Sequence, residues 1–376
     1  MLKKKIISIV GIVLVIATVL FLGKIIKGAF FVYNVASNSD VNIKAKTNGE
    51  INVLLLGIGG GTHEAPNLSD TIILVNLQPQ NNRAHLISIP RDLWVPELSA
   101  KINSAYKTGQ DKGGKGIVLA KSAIEKVTRS NIDYVVVVDF SGFIKLVDLL
   151  GGIDVDIKRA FDDYAYPIEG KEVDPCGLDE DQIATLSAQI ATSSASESDA
   201  FPCRYKHIHF DSGVQHMDGQ TALELVRSRH ALGVEGTDFA RSQRQQAVIS
   251  AIKDKMFSLG TILNPVKLLG VYNILKNNIH TDIPLDQIDD FINLARRMEK
   301  SEIVSVVIDT GDLAQKKYGL LINPPISKEF RFAWVLIPRV GGGNFSEIQD
   351  YIACIKTGNI CVITADGIAQ TKNELK

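Results

Sequence analysis

The sequence predicts an α/β fold: a single three-layer α/β/α domain with a central mixed sheet, preceded by one N-terminal transmembrane helix. Short apolar runs typical of buried strands alternate with segments of helical spacing. Glycine or proline ends these runs, as Gly57 does after residues 51–56 and Pro90 does after 84–89. A long apolar stretch also follows three lysines at the start of the chain. It predicts that the domain is held at a membrane.

The N-terminal stretch has the composition of a membrane anchor. Lysines at 3–5 precede an apolar run over residues 6–33, with Lys24 and Lys27 near its end. About 20 apolar residues span a bilayer as a helix, and lysines before the run favour a cytoplasmic N-terminus. The alternative is a cleaved signal peptide, whose apolar core is usually only about 7–15 residues. We therefore expect a single-pass protein of the cell membrane, with a cytoplasmic tail at 1–5, a transmembrane helix at 6–33, a linker at 34–50 and an extracytoplasmic catalytic domain.

The charge balance argues against one class of partner. The 376 residues include 41 basic and 42 acidic side chains, for a formal net charge of -1. Proteins that bind nucleic acid usually carry a basic excess. We expect no nucleic-acid partner, and any anion site must be local.

The order of the predicted elements supports one domain over residues 51–356, followed by a tail at 357–376. Strands are predicted at 51–56, 71–77, 84–89 and 134–140, with an alternating edge strand at 153–157. Helices are predicted at 116–129, 141–150, 219–226, 238–257 and 285–300. Two further strands, at 303–308 and 332–337, are expected to complete the same sheet.

Residues 162–205 interrupt this alternation of predicted strands and helices, which predicts an insertion. The segment is acidic, rich in serine and alanine, and bounded by two of the four cysteines. Three disulfide pairings are possible in an oxidising compartment. We favour Cys176 with Cys203 and Cys354 with Cys361, because each pair brackets one local loop. Four free buried thiols are the alternative.

A cluster of charged and polar side chains, most of them arginines, is the strongest sign of function. It combines Arg227, Arg229, Asp238, Arg241, Arg244 and Gln245. On a helix that begins near Asp238, positions 238, 241 and 245 point in nearly one direction. Arg227 and Arg229, two positions apart, are expected to share one side of an extended segment. Arginine binds phosphate oxygens in pairs, and a helix N-terminus adds free N–H groups. The pattern favours a phosphate or pyrophosphate site over a set of surface salt bridges, the alternative that most single arginines satisfy.

Three further positions are candidates for the same site. Arg91 follows a strand end, where α/β proteins bind ligands, and Lys101 adds another cation. Asp70 opens the next predicted strand and offers a carboxylate for Mg²⁺, although capping a turn is the alternative. The glycines at 57–61 lack a P-loop ending. We expect His207 and His209 to alternate on a strand and not to bind metal.

These segments resemble the LytR-CpsA-Psr family of cell-wall glycopolymer transferases. The matching motifs are NVLLLGI from Asn52, SDTIIL from Ser69, SIPRDLWV from Ser88, KINSAY from Lys101, DYVVVVDFSGFIKLVDLLGGIDVDI from Asp133 and DGQTALELVRSRHALGVEGTDFARSQRQQ from Asp218.

The resemblance implies transfer of a glycopolymer, such as teichoic acid or capsule, from a polyprenyl-pyrophosphate carrier to peptidoglycan through a phosphodiester link. It implies that catalysis rests on Asp70, Arg91, Asp238 and Arg241, and that Mg²⁺ or a proton is managed by Asp70 and Asp238. The pyrophosphate would be held by Arg91, Arg227, Arg229, Arg241 and Gln245, with Lys101 as an added cation. The polyprenyl tail would lie between the sheet and the helices.

Two positions depart from the family pattern. An expected aspartate after the first strand is Gly59, and an expected arginine before Ser69 is Leu68. The first change weakens the case for Mg²⁺, and His63 or Glu64 is a hypothetical replacement. Two other functions therefore remain open: a polyprenyl-pyrophosphate pyrophosphatase, and a lipid-binding scaffold with weakened catalysis.

Overall fold

The structure is a computed structural model that describes residues 43, 49–61, 65–192, 196–256, 258–262, 264–284, 287–312 and 316–371. The predicted tail at 1–5, transmembrane helix at 6–33 and most of the linker lie outside these residues. Within the described part of the chain, no helix has both the length and the apolar composition needed to cross a bilayer.

Strands and helices alternate along the described chain. The strands are β1 (Ile51–Ile58), β2 (Ser69–Gln78), β3 (Arg83–Ser88), β4 (Trp94–Val95), β5 (Ala100–Lys101), β6 (Tyr134–Asp139), β7 (Ile153–Ile157), β8 (Phe161–Pro167), β9 (Tyr205–Phe210), β10 (Gly213–Met217), β11 (Ile279–Thr281), β12 (Glu302–Val307), β13 (Gly311–Asp312), β14 (Lys317–Tyr318), β15 (Leu321–Ile322), β16 (Ile337–Pro338), β17 (Ile360–Thr364) and β18 (Gly367–Thr371). The helices are α1 (Ser104–Asp111), α2 (Gly116–Thr128), α3 (Phe140–Leu150), α4 (Glu180–Ala191), α5 (Glu197–Ala200), α6 (Gly219–Arg227), α7 (Asp238–Met256), α8 (Leu259–Ile262), α9 (Pro265–Asn278), α10 (Ile288–Arg297) and α11 (Ser346–Lys356).

A six-stranded mixed sheet forms the centre, in the order β11-β6-β1-β2-β3-β12. β6 is parallel to β1, and β12 is parallel to β3. β2 runs antiparallel to both β1 and β3, so β1, β3, β6 and β12 share one direction. The mixed α/β class and the strands predicted at 51–56, 71–77, 84–89, 134–140 and 303–308 are confirmed.

The prediction that residues 332–337 form a strand of this sheet is wrong. Only Ile337 and Pro338 form a strand, β16, and it pairs with β15. The left-handed φ angles of Arg331 (53°) and Phe332 (58°) interrupt the extended backbone that a strand requires.

Apolar side chains cover both faces of the central sheet. On one face, Leu54 and Leu56 of β1 lie in a core with Ile124 and Val127 of α2. On the other, Ile51 lies in a core with Leu294 of α10 and Met298, the residue that follows this helix. The period-two alternation of a strand directs neighbouring side chains to opposite faces. One apolar run therefore serves both cores.

The predicted insertion is a β-hairpin with helices in its loop. Its base pairs β8 with β9 and begins at Phe161, one residue before the predicted start. The disulfide Cys176–Cys203 closes the hairpin loop, as predicted. β7 keeps the predicted alternation of buried and exposed residues, but it pairs with β10 outside the central sheet. A separate core joins this hairpin to α3, α6 and α7.

Described secondary structure continues past residue 356, where the catalytic domain is predicted to end. β17 and β18 form a hairpin within the predicted tail at 357–376. The disulfide Cys354–Cys361 ties the hairpin to α11, and Ile363 and Ile368 pack against the main core. Residues 372–376 lie outside the described part of the chain.

Candidate functional site

The candidate site lies at the edge of the sheet where the parallel strands end. The carboxyl ends of β1, β3 and β6 meet there, and the antiparallel direction of β2 brings its first residues to the same edge. Asp70 is the second residue of β2, and Arg91 follows the end of β3. Strand direction therefore brings these two residues together although 21 positions separate them.

Asp70 is the centre of an ion-pair network. Its Oδ1 atom accepts hydrogen bonds from Nη1 of Arg91 and, at 3.1 Å, from Nη2 of Arg229. Burial alone would raise the pKa of the Asp70 carboxyl, but the attraction of Arg229, Arg91 and Arg241 outweighs it and lowers the pKa below the usual value. Asp70 is therefore ionised and binds several guanidinium groups at once.

Asp92 extends the network to Lys101. Its Oδ1 atom accepts a hydrogen bond of 2.6 Å from Nζ of Lys101, and its Oδ2 atom lies 3.3 Å from Nε of Arg91. Asp92 is almost fully buried. The sequence pattern predicts no role for Asp92, and its position beside Arg91 is the one signal that points to it. The result is a chain of alternating charges from Lys101 to Arg229.

Two arginines on α7 have different roles. Arg241 is buried and lies close enough to Asp70 to lower the pKa of its carboxyl. Arg244 instead stabilises the surrounding structure. It donates to the carbonyl oxygens of Leu225 (3.1 Å) and Ser228 (2.9 Å) and to the Glu235 carboxylate (3.0 Å). Only Arg241 of this pair therefore belongs with the candidate anion site.

Arg227 lies beside this network and not within its ion pairs. It is the last residue of α6, so the expectation that Arg227 and Arg229 share one extended segment is wrong. Its guanidinium lies 4.3 Å from the ring centre of Phe140 and 5.8 Å from that of Tyr166. Stacking of this kind orients a guanidinium while its N–H groups stay available.

Tyr166 brings the insertion to the site. Burial raises the pKa of its hydroxyl to about 12, although nearby Arg227 opposes the shift. The hydroxyl is therefore neutral at physiological pH. Among the residues described, it has no hydrogen-bond partner.

Asp163 holds the backbone that carries Arg229. It lies on β8 and is fully buried. Its Oδ2 atom accepts hydrogen bonds from Oγ of Ser228 (2.7 Å) and from the backbone N–H groups of Arg229 (3.2 Å) and His230 (3.1 Å). The insertion is therefore joined to the arginine segment at its base, a link that the sequence reasoning missed because 66 positions separate Asp163 from Arg229.

The glycine loop after β1 lies against the end of β6. Gly60 has a left-handed φ of 68°, and a Cβ atom there would lie 2.6 Å from Cβ of Asp139. Asp139 in turn caps α3 by accepting from the N–H of Gly142 at 2.6 Å. Gly60 therefore permits a close approach between the two strand ends. Gly59 and Leu68 are half-buried near this edge, whereas His63 and Glu64 lie outside the described residues.

The remaining predicted site residues are placed by α7. The Oγ1 atom of Thr237 caps this helix by accepting from the N–H of Ala240 at 3.2 Å. Asp238 is its first residue, and its side chain lies outside the described part of the chain. Gln245 is half-buried one turn after Arg241. The adjacent Gln246 is structural, because its Nε2 atom donates to Oγ of Ser88 at 3.1 Å.

The predicted strand position of the two histidines is confirmed. His207 and His209 both lie on β9. Nε2 of His207 and Nδ1 of His209 lie 2.7 Å and 2.8 Å from the same Oδ1 atom of Asp162.

Comparison with known proteins identifies the family. The model described as the LytR_cpsA_psr family matches residues 29–322. The chain belongs to the LytR-CpsA-Psr family. It is 29% identical over 280 residues to the polyisoprenyl-teichoic acid–peptidoglycan teichoic acid transferase TagV of Bacillus subtilis, a match that covers 73% of this chain and 58% of TagV. It is 27% identical over 276 residues to the transferase TagU of Bacillus cereus, which covers 72% of this chain and 73% of TagU.

A solved structure supports the fold of this LytR-CpsA-Psr protein. The crystal structure of B. subtilis TagV aligns with a TM-score of 0.52 and 23% sequence identity, over 81% of this chain and 96% of that chain. The mixed α/β architecture with its central mixed sheet is therefore shared.

Of the two predicted Mg²⁺ ligands, Asp70 is the one whose side chain the structure describes. Mg²⁺ favours one or two carboxylates together with phosphate oxygens. The Oδ1 atom of Asp70 is engaged by two arginines, which leaves Oδ2 as the oxygen suited to a cation. Gly59 contributes no carboxylate, so a bound substrate would have to complete the ligand set.

Proposed function

We propose that this protein is a membrane-anchored phosphotransferase that moves a glycopolymer from a polyprenyl-pyrophosphate carrier to peptidoglycan. The linkage formed is a phosphodiester. The single observation that carries the proposal is the convergence of Arg91, Arg229 and Arg241 on Asp70 at the end of the sheet. Family membership and the transferase names of the relatives support the same reaction class.

The cationic cluster suits a pyrophosphate donor. Three guanidinium groups carry more positive charge than the single Asp70 carboxylate can neutralise, and arginine offers paired N–H donors to phosphate oxygens. Arg91 and Arg229 already share Asp70, which fixes their guanidinium groups before any substrate arrives. Arg227, oriented by Phe140, and Lys101, held by Asp92, extend the cationic surface on two sides. Gln245 is proposed as a further polar contact.

The proposed reaction is an in-line displacement at the phosphorus next to the glycan. An acceptor hydroxyl of peptidoglycan forms a new P–O bond to that phosphorus. The bond between this phosphorus and the bridging pyrophosphate oxygen breaks, and polyprenyl phosphate leaves with the electron pair. Positioning and charge neutralisation by the arginines would supply most of the rate, as in other phosphoryl transfers.

The lowered pKa of Asp70 distinguishes the two candidate aspartates. A carboxyl held ionised by several arginines is a weak base at neutral pH. We therefore assign Asp70 to holding the guanidinium groups and, through its second oxygen, to holding Mg²⁺. Mg²⁺ would neutralise charge on the phosphate oxygens. Asp238 remains our proposed base for the acceptor hydroxyl, on the basis of its position three residues before Arg241.

The location of the donor supports the proposed membrane anchor. A polyprenyl tail stays in the bilayer, so the site that meets it must be held close to the membrane surface. The apolar run at 6–33 would provide this tether. The tail is proposed to lie between the sheet and the helices, next to Arg227.

The proposal is tested with the purified full chain, a polyprenyl-pyrophosphate glycan donor and peptidoglycan fragments. Replacing Arg229 or Arg241 with alanine should lower transfer by at least about tenfold, since each loses a charged hydrogen-bonding group worth about 1.5–3 kcal/mol. The matched control is Arg297→Ala, an exposed helical arginine. Unchanged turnover in both site variants would contradict the proposal, whereas water-dependent release of the glycan phosphate without acceptor would indicate the pyrophosphatase.

A further inference from the structure

A loop near the candidate site exposes large apolar side chains. It runs over residues 322–334, and we call it the apolar loop. Phe332 is 70% exposed and Trp334 is 45% exposed. Ile322 and Ile326 are exposed as well. Contiguous exposed apolar surface of this kind usually marks an interaction site.

Backbone contacts fold the apolar loop into one compact surface. Nδ2 of Asn323 donates to the carbonyl oxygen of Val335 at 2.7 Å. The N–H of Phe332 donates to the carbonyl oxygen of Ser327 at 2.9 Å. The first contact brings Ile322 towards Trp334, and the second brings Ile326 towards Phe332. The four exposed apolar residues therefore lie in two neighbouring pairs on one short loop.

The backbone of the loop keeps Phe332 out of the core. Arg331 and Phe332 both have left-handed φ angles, of 53° and 58°, which are uncommon for residues other than glycine. Phe330, two positions earlier, is buried and packs edge-on against Trp94 at 5.6 Å. One aromatic ring thus anchors the loop while the next stays exposed. Exposed apolar residues held on strained backbone often serve a function.

The chemistry of the patch fits a lipid surface better than a glycan. Sugar-binding platforms need aromatic rings beside polar groups that bond hydroxyls, whereas Ile322 and Ile326 offer neither. A tryptophan and a phenylalanine beside aliphatic side chains are typical of segments that enter the membrane interface. Lys328, Glu329 and Arg331 are all exposed within the same loop. Two cations against one carboxylate leave a positive balance, which favours anionic headgroups.

The apolar loop is attached directly to the site. The N–H of Leu336, just after the loop, donates to the carbonyl oxygen of Asp92 at 3.0 Å, and the N–H of Trp94 donates to the carbonyl oxygen of Leu336 at 2.8 Å. Asp92 itself bonds Lys101 and lies beside Arg91. A membrane contact at the loop would therefore set the position of the site relative to the bilayer.

We infer that the apolar loop docks on an anionic membrane surface, with Phe332 and Trp334 entering the interface. This contact goes beyond the proposed transfer reaction and does not depend on it, because it needs neither donor nor acceptor. It is also separate from the predicted anchor at 6–33, which holds the chain near the bilayer without fixing its orientation.

The chain has only two tryptophans, so fluorescence can test this directly. Trp94 is buried and Trp334 is exposed. The full chain is reconstituted into vesicles of phosphatidylglycerol with brominated acyl chains, which quench tryptophans that reach them. We expect Trp334 emission, taken as the difference between the wild type and Trp334→Phe, to shift to the blue and to be quenched, while Trp94 is unaffected. No quenching of Trp334 would overturn the inference.

Two variants and one ligand sharpen the test. Phe332→Ser should weaken the quenching of Trp334, and Lys328→Glu should weaken it in phosphatidylglycerol, while Arg297→Glu on α10 should not. Equal quenching in neutral phosphatidylcholine vesicles would contradict the role of the cations. A saturable shift of Trp334 emission by soluble peptidoglycan fragments, without quenching by any brominated lipid, would show instead that the loop binds glycan.

Discussion

Asp70 holds the arginines of the site against their mutual repulsion. Arg91 and Arg229 both bond its Oδ1 atom, and Arg241 lies close by. Without this carboxylate, three guanidinium groups would lie near one another with no shared counter-charge. The site therefore already holds one anionic group among its guanidinium groups. These guanidinium groups are the ones that the proposed pyrophosphate donor would contact.

Asp70→Asn should lower stability by about 1 kcal/mol at pH 7, because a charged acceptor becomes a neutral one. The folded-state pKa of Asp70 lies below its usual value of 3.8. Its contribution is therefore complete above that value and is lost as pH falls through the folded-state pKa. Thermal unfolding at pH 7 and near pH 3 should show the difference between wild type and variant shrinking in acid, whereas Asp254→Asn, at an exposed carboxylate on α7, should not show this pattern. An equal difference at both pH values would contradict this explanation.

Asp163 positions Arg229 without touching the proposed substrate. It accepts three hydrogen bonds from residues 228–230 and places Arg229 opposite Asp70. Asp163→Asn retains the size of the side chain but exchanges a charged acceptor for an amide. We expect a loss of about 1–3 kcal/mol in the free energy of unfolding and a fall in transfer activity.

A double-mutant cycle separates positioning from simple destabilisation. If Asp163 acts through Arg229, the variants Asp163→Asn and Arg229→Ala should have non-additive effects on kcat/KM. Additive effects, measured below the unfolding temperature of every variant, would show that Asp163 serves the fold alone.

At the scale of elements, the β8–β9 hairpin couples the insertion to the site. Its strands carry Tyr166, which faces Arg227, and Asp163. The disulfide between Cys176 and Cys203 closes a loop with a sequence separation of 27. The base of the hairpin therefore contacts Arg227 and Arg229, and the disulfide closes the loop at its other end.

Replacing Cys176 and Cys203 together with serine should destabilise the hairpin by up to about 3–4 kcal/mol, the chain-entropy value for a loop of this length. Hydrogen exchange should quicken across residues 161–210, while the central sheet keeps its protection. The matched control replaces Cys354 and Cys361, which should affect α11 and β17 instead. Unchanged exchange in the hairpin would show that packing alone holds it.

At the scale of the whole molecule, the strands of the central sheet were predicted from the sequence more accurately than the segments around the sheet. Apolar runs located β1, β2, β3 and β6, because the burial of these strands leaves a direct signal in composition. β12, at the edge of the sheet, is only partly buried, but its apolar residues located it as well. The left-handed backbone at Arg331 and Phe332 carries no such signal, and the strand predicted there was wrong.

The candidate site was predictable only in part, because only some of its residues have a local sequence signal. Arginines in one short window and a resemblance to a family identified Arg91, Arg229 and Arg241. The roles of Asp92, Asp163 and Arg244 depend on which distant backbone groups the fold brings to them. Those contacts come from tertiary structure, so neither spacing nor composition reveals them.

For the whole molecule, the central proposal is that a phosphate passes from a lipid carrier to peptidoglycan. The most direct test is a donor labelled with ³²P at the phosphate next to the glycan, incubated with the full chain and peptidoglycan. We expect the label to enter peptidoglycan together with the glycan, and this transfer to be lost in Arg241→Ala. Label that remains with the lipid, or that is released in water without reaching peptidoglycan, would contradict the account.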